Sequence, residues 1–328
     1  MSATIRGLRP RGVTPGGRLT IDGEGFAVST GHVPVVTIAG QPVPIARASA
    51  SSVTVRVPDD LPGGTQAVSI GDVDGATPFV DVGRVVTSGV HLVDSPAFDR
   101  EGALYATLSG GRGQETPVSV FRIDRAGARE TFATGIPNAT SLAFSPDGVL
   151  HVSSRFEGVV YTVDADGTPT RRADDLGVAC GLAFDADGTL WVGDRSGSVF
   201  RLAKDADEAE RFATLPGSIA AFHLAMAPDG VLHVTAPTLN SSDAIYRITP
   251  DGEVERWLDG FGRPQGLAFD ASGTLHVVDA LAGSSGLYRV SPEGHRELVV
   301  SGNGLIGVAF DPLGGFVVCT ADTIYRFD

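Results

Sequence analysis

Lysine is nearly missing from this chain. Lys204 stands alone, arginine makes up the rest of 25 basic residues, and 39 acidic residues leave a formal net charge of −14. Phosphate binding needs a basic footprint, so nucleic acid is not an expected partner. No apolar run approaches the roughly 18 residues of a membrane span, and the opening MSATIRGLRP has no apolar signal core. A location in the cytoplasm, without a membrane partner, is the resulting expectation. Only two cysteines occur, Cys180 and Cys319, too few and too far apart in the repeat described below for a disulfide framework, so reduced thiols are expected.

What the chain has in quantity is glycine, 43 residues of it, within a 42% apolar composition that is ample for real cores. Six glycines punctuate a repeated phrase: a small apolar triplet, a tight turn, then a β-rich run. The copies are PAFDREGALYAT from Pro96, LAFSPDGVLHVSS from Leu142, LAFDADGTLWVGD from Leu182, LAMAPDGVLHVTA from Leu224, LAFDASGTLHVVD from Leu267 and VAFDPLGGFVVCT from Val308. Their turn glycines, Gly102, Gly148, Gly188, Gly230, Gly273 and Gly314, are 40 to 46 residues apart. That is the period of a four-stranded propeller blade and argues against helical solenoids. Each phrase supplies strands A and B, and pairs such as SVFRLA with ERFAT supply C and D. The last copy stops at TIYRFD, its third strand. The segment 83–87 (GRVVT) is expected to pair with it and close the ring.

Residues 1–82 do not keep the blade period. Short alternating runs, GRLTIDGEGF and SVTVRVP among them, separated by Gly and Pro turns, predict a small immunoglobulin-like β-sandwich. The fold class expected is therefore all-β: a sandwich over 1–82, then a six-bladed β-propeller over 83–328. Pro10, the Gly16-Gly17 turn, the stretch Leu19 to Phe26, and VRVPDDLPGG from Val55 to Gly64 make this segment similar to the TIG family. That resemblance implies a spacer or docking module, and with it a protein partner.

Chain alternation around a propeller places the starts of the A strands, the ends of the B strands and the D–A and B–C loops on one face, at the mouth of the channel. Ligands of such rings bind there. Two residues before each triplet stand Asp94, Thr140, Cys180, Phe222, Gln265 and Ile306; one residue later stand Ser95, Ser141, Gly181, His223, Gly266 and Gly307. His91, Asn138, Arg155, Glu157, Asp194, Arg195 and Asp279 reach the same rim, as do the loops 109–117 and 237–243. The polar residues differ from blade to blade, which points to a small-molecule site rather than a bare scaffold.

Asp94 reads as a metal ligand or general base, or else as a cap on the first A strand. His223, where the repeat has glycine, adds a titratable ring suited to acid–base chemistry or metal ligation, or packs between Phe222 and Leu224. Cys180 with His223 offers a thiolate pair if the sulfur is exposed, or is a buried small hydrophobe. Asn138, Thr140 and Gln265 suit the positioning of a substrate carbonyl or hydroxyl. Arg155 and Arg195 read as ion-pair members of the repeat or as receptors for a substrate carboxylate. His151, His233 and His276 share one B-strand place in separate blades and form no joint metal site. SGGRGQ from Ser109 lacks the lysine and hydroxyl of a phosphate-cradling loop and reads as a lid, with Arg112 or Glu115 reaching inward. The DADG and DASG turns lack the ligand series of a calcium loop.

Asp94-Ser95-Pro96-Ala97-Phe98 and PQGLAFDASGTLHVVD from Pro264 make residues 83–328 resemble the senescence marker protein/gluconolactonase family and, more loosely, NHL-repeat propellers. The resemblance implies a divalent cation, calcium or another, held in the channel with Asp94 as ligand, and hydrolysis of a lactone or ester-like substrate. Only Asp94 carries over cleanly from the family's ligand set; Thr140 and Gln265 could give weak oxygen ligands, Phe222 and Ile306 ligate nothing, and Cys180 favours softer metals than calcium. A non-catalytic propeller that binds a small molecule or a protein, with the sandwich as docking module, is the alternative.

Overall fold

The computed structural model describes residues 3–29, 32–71, 73, 77–281 and 283–328, and these contain strands and turns but no helix. Blade three shows how the repeat folds. Ala179–Phe184, Leu190–Asp194, Ser198–Leu202 and Glu210–Thr214 pair antiparallel in chain order. Between the first two, Asp185 Oδ1 accepts the backbone N–H groups of Asp187 and Thr189 at 3.1 and 2.8 Å. Gly188 turns the chain with φ +86°, a left-handed value that a side chain resists. The carboxylate is thus saturated by its own turn, and these hairpins are not cation loops.

The other blades repeat the pattern from the inner strands Ala97–Phe98, Ala139–Phe144, His223–Met226, Pro264–Phe269 and Leu305–Phe310. Blade six runs Leu305–Phe310, Phe316–Thr320, Ile324–Phe327, and its outer strand is Arg84–Thr87, with Val85 opposite Tyr325. The two ends of the ring thereby meet within one sheet, and no outer edge is left by the chain's own terminus.

One position wedges the blades apart at the correct angle. Tyr105, His151, His233 and His276 sit at equivalent points on the second strands. Each meets a phenylalanine of the next inner strand edge-on: Phe144 at 5.1 Å, Phe184 at 4.8 Å, Phe269 at 5.1 Å and Phe310 at 4.9 Å. Burial lowers the pKa of all three histidines, His233 to about 4, and each Nδ1 lies against the backbone carbonyl two residues back. They are neutral packing groups at pH 7.

The N-terminal sandwich has its own core, centred on Leu19, Ile21, Ile38, Val53, Val55 and Val68. One sheet orders Thr4–Arg9, Arg18–Glu24, Ser52–Arg56 and Ile45–Ala48. The other is continuous with blade five, because Gly12–Val13 lies between Phe79–Val82 and Arg296–Ser301, parallel to both. Thr14 N–H to Ser301 O, Arg18 N–H to Ser301 Oγ and Asn303 Nδ2 to Gly16 O, all 2.9 Å, complete the junction. Gly12 and Gly17 face this seam so closely that a Cβ would fall 2.9 Å from Val300 Cγ2 and 2.3 Å from Ser301 O.

Candidate functional site

The six inner strands converge most tightly one residue before the apolar triplet. A Cβ at Gly181 would sit 2.1 Å from Phe222 O; at Gly266, 2.6 Å from Ser95 Oγ; at Gly307, 2.6 Å from Ser95 Cα. Backbone occupies the space that side chains would need. His223 is the one large residue at this level, and its small neighbours leave room for its ring across the axis.

The imidazole reaches the opposite side of the ring. Its Nδ1 lies 2.6 Å from Asp94 Oδ1, and blade four is thereby tied to the loop entering blade one. His223 is 1% exposed and Asp94 5%. Burial pushes the Asp94 pKa up, but the charge and hydrogen bond of His223, the Ser95 N–H at 2.6 Å and Ser141 outweigh it, and the net direction is down. Asp94 is therefore a carboxylate that fixes the Nδ1–H of His223. The free nitrogen, Nε2, lies 3.4 Å from the Gln265 side-chain amide, which can accept from or donate to it by turning over.

Above this pair opens a cavity of about 410 Å³ at the channel mouth. Thr140, Cys180, Gln265, Arg155 and Arg195 line it, together with His91, Ile306 and Arg263. Arg155 is half-buried, while Arg195 and Arg263 are exposed. None of the three has a carboxylate within salt-bridge distance among the described residues. The Arg155 pKa is lowered first by burial, against the pull of Cys180, and further by the like charge of Arg195. The acids of the same rim are turned elsewhere. Glu157 accepts from Tyr161 and Arg171, Asp194 from Val178 N–H at 2.8 Å, and Asp279 from Gly262 and Arg263 N–H at 3.0 and 2.7 Å. The ion pairs expected for Arg155 and Arg195 are absent among the described residues, because backbone amides and in-blade partners satisfy the carboxylates first.

Other expectations need correcting. Asn138 does not face the cavity. It is fully buried at φ +47°; its Nδ2 donates to the carbonyls of Ser109 and Gly111, and its Oδ1 accepts from Gly113 N–H at 2.7 Å. It is the staple of the loop 109–117. That loop consequently folds away, and Arg112 and Glu115 are exposed outside the cavity lining. Cys180 is no thiolate: burial pushes its thiol up to about 11, so it stays protonated beside His223. Cys319, deeper still, is also raised by burial.

The residues at the mouth do not fit a divalent cation. Asp94 Oδ1 already receives His223 and Ser95, and Thr140 Oγ1 donates to Asn138 O at 2.8 Å. Phe222 and Ile306 offer no donor atom, and no three His, Cys, Asp or Glu side chains among the described residues are placed to hold a metal. Asp94 as a metal ligand does not fit this geometry, because its Oδ1 is already engaged by the His223 imidazole and the Ser95 N–H.

Arg263 went unread in the sequence. It precedes the inner strand of blade five, so the rule that found the other rim residues applies to it.

Residues 3–80 match the IPT/TIG domain family. No curated protein matches the sequence. Among solved structures, a gluconolactonase from Xanthomonas campestris is similar at 15% identity, covering 80% of this chain and 89% of its own, with a TM-score of 0.62. A calcium-binding protein, regucalcin, from Agrobacterium tumefaciens has 19% identity, 74% and 92% coverage and a TM-score of 0.58. An auxiliary nutrient binding protein from Bacteroides ovatus has 16% identity, covers 100% and 98%, and scores 0.55. The chain thus has an IPT/TIG domain over residues 3–80, followed by a β-propeller similar in fold to these structures. At these identities the likeness concerns fold alone.

Proposed function

We propose that this protein binds a small anionic molecule in the cavity at the propeller mouth. The observation that carries this reading is the trio Arg155, Arg195 and Arg263 around one opening without carboxylate partners, in a chain of net charge −14. Like charges gathered at one opening, with Arg155 half-buried, repel unless an anion joins them, and guanidinium forks match carboxylate or phosphate oxygens. Gln265, Thr140 and His91 add polar groups for orientation. The full-length likeness to a protein titled as nutrient binding agrees with a binding role.

A second reading, hydrolysis of a lactone or ester-like substrate, is favoured by the buried Asp94–His223 pair. A carboxylate that fixes Nδ1–H leaves Nε2 to take a proton from water, as a general base does. Gln265 covers that nitrogen, so this reading requires the amide to swing aside when substrate enters. It needs no metal.

Titration calorimetry with simple carboxylates, sugar acids and phosphate esters tests the first reading. Binding that disappears in Arg155→Ala and Arg195→Ala supports it; no binding by any anion refutes it. A lactone and ester panel followed by pH-stat tests the second. Turnover that survives chelator and is lost in His223→Gln supports hydrolysis, and absence of turnover across the panel refutes it.

A further inference from the structure

A larger cavity, about 950 Å³, lies between the sandwich and blade five. Its lining is unusual for so acidic a chain: Arg9, Arg11, Arg18 and Arg47 from the sandwich and Arg296 from the propeller. Register explains part of the cluster. Arg9 lies opposite Thr20, Thr20 opposite Thr54, and Thr54 opposite Arg47, so one row across the four-stranded sheet carries an arginine at each end. The two threonine hydroxyls between them are 3.0 Å apart.

Most of this charge is uncompensated. Arg9 is held by both carboxylate oxygens of Asp22, at 2.6 and 3.0 Å. Arg11, Arg18, Arg47 and Arg296 have no salt-bridge partner among the described residues. Glu297, the single acid on the lining, is turned to Arg289. Arg296 stacks over Phe261 at 4.6 Å and donates to Gly260 O at 2.8 Å, which fixes its position on the facing wall. The seam at Gly12–Val13 and Ser301 holds the two walls at a set angle.

The cavity also exposes backbone. Ile45–Ala48 is the last strand of its sheet, paired on one side only, and the consecutive residues Ala46 and Arg47 both line the cleft. An edge strand carries unpaired N–H and C=O groups that an extended peptide satisfies by strand addition. No aromatic side chain lines the cleft among the described residues, so the stacking platform that nucleic acid bases use is lacking.

We infer that this cleft is a docking site for an acidic segment of another protein, bound in extended form along Ile45–Ala48, its carboxylates meeting Arg18, Arg47 and Arg296. Main-chain pairing supplies register, and the arginines supply charge selection. The site is separate from the channel mouth and independent of what that mouth binds.

Fluorescence anisotropy with a labelled short peptide alternating glutamate and threonine tests the assignment on the full chain. Binding should weaken about tenfold in Arg47→Glu and again in Arg18→Glu, the scale of losing one charge-assisted contact. It should fall steeply with added salt, while Arg155→Glu, at the mouth, leaves it unchanged. A peptide of the same charge with alternate backbone nitrogens methylated should bind far more weakly. Four results overturn the proposal: no binding; affinity unchanged in Arg47→Glu; equal affinity for the methylated peptide, which removes strand addition; or equal affinity for an oligogalacturonate of matched charge, which makes the site one for acidic glycans.

Discussion

Replacing His223 with leucine tests whether the pair across the channel is a coupled charge pair. Leucine keeps the apolar bulk of the imidazole, so the loss is electrostatic rather than a void. In the variant the Asp94 carboxylate, 5% exposed, keeps the Ser95 N–H at 2.6 Å and the help of Ser141 but loses the imidazole 2.6 Å from its Oδ1. Removing one partner of a buried pair costs about 3–5 kcal/mol. For a domain of this size that corresponds to a fall of roughly 6–20 °C in melting temperature.

The pH dependence carries the sharper test. In the wild type the folded pKa of Asp94 is lowered, so its contribution is present above the unfolded carboxylate value, near 3.9, and is lost as pH falls through the folded one. In His223→Leu burial, the largest influence on Asp94, is opposed only by Ser95 and Ser141 and raises the folded pKa, so the cost grows as pH rises above the unfolded value. The stability gap between the two proteins should be widest near neutrality and narrow toward pH 4. Denaturant titrations of wild type, His223→Leu, Asp94→Asn and the double variant provide this as a cycle. A gap below about 1 kcal/mol, or one that does not change with pH, refutes the coupled buried pair.

Gly181→Ala should destabilise by about 2 kcal/mol or more, since its Cβ meets a backbone oxygen that cannot step aside; urea titration checks this. Cys180 and Cys319 should resist a thiol reagent in the native protein at pH 8 and react fully in denaturant, as buried thiols with raised pKa do. Asn138→Ala should release the loop 109–117, seen as faster hydrogen exchange there, while anion binding at the mouth persists.

The all-β architecture was legible because it rests on local chemistry repeated six times. Gly188 and its five equivalents permit the turn, Asp99, Ser145, Asp185, Asp270 and Asp311 cap it in five of the six blades, and alternation decides which side chains meet the next blade. The candidate site was legible only in outline. Rim membership follows from strand direction, so Thr140, Cys180, Gln265, Arg155 and Arg195 could be placed beside one another from the chain alone. What each does there depends on contacts made across blades. Asn138 reads as a rim amide, yet the loop from blade one folds over it. Glu157 reads as a partner for Arg155, yet Tyr161 and Arg171 of its own blade reach it first. The two-residue strand Gly12–Val13 carries no periodic signal, so the seam with blade five, and the arginine cleft beside it, were invisible before the fold.

Crystals soaked in bromide or selenate offer the most direct test of the central claim, that the propeller mouth is an anion site. The account predicts the strongest anomalous peak inside the cavity bounded by Arg155, Arg195 and Arg263, and its loss in Arg155→Ala. A cavity that stays free of anion while other surfaces of the same crystal fill would contradict it.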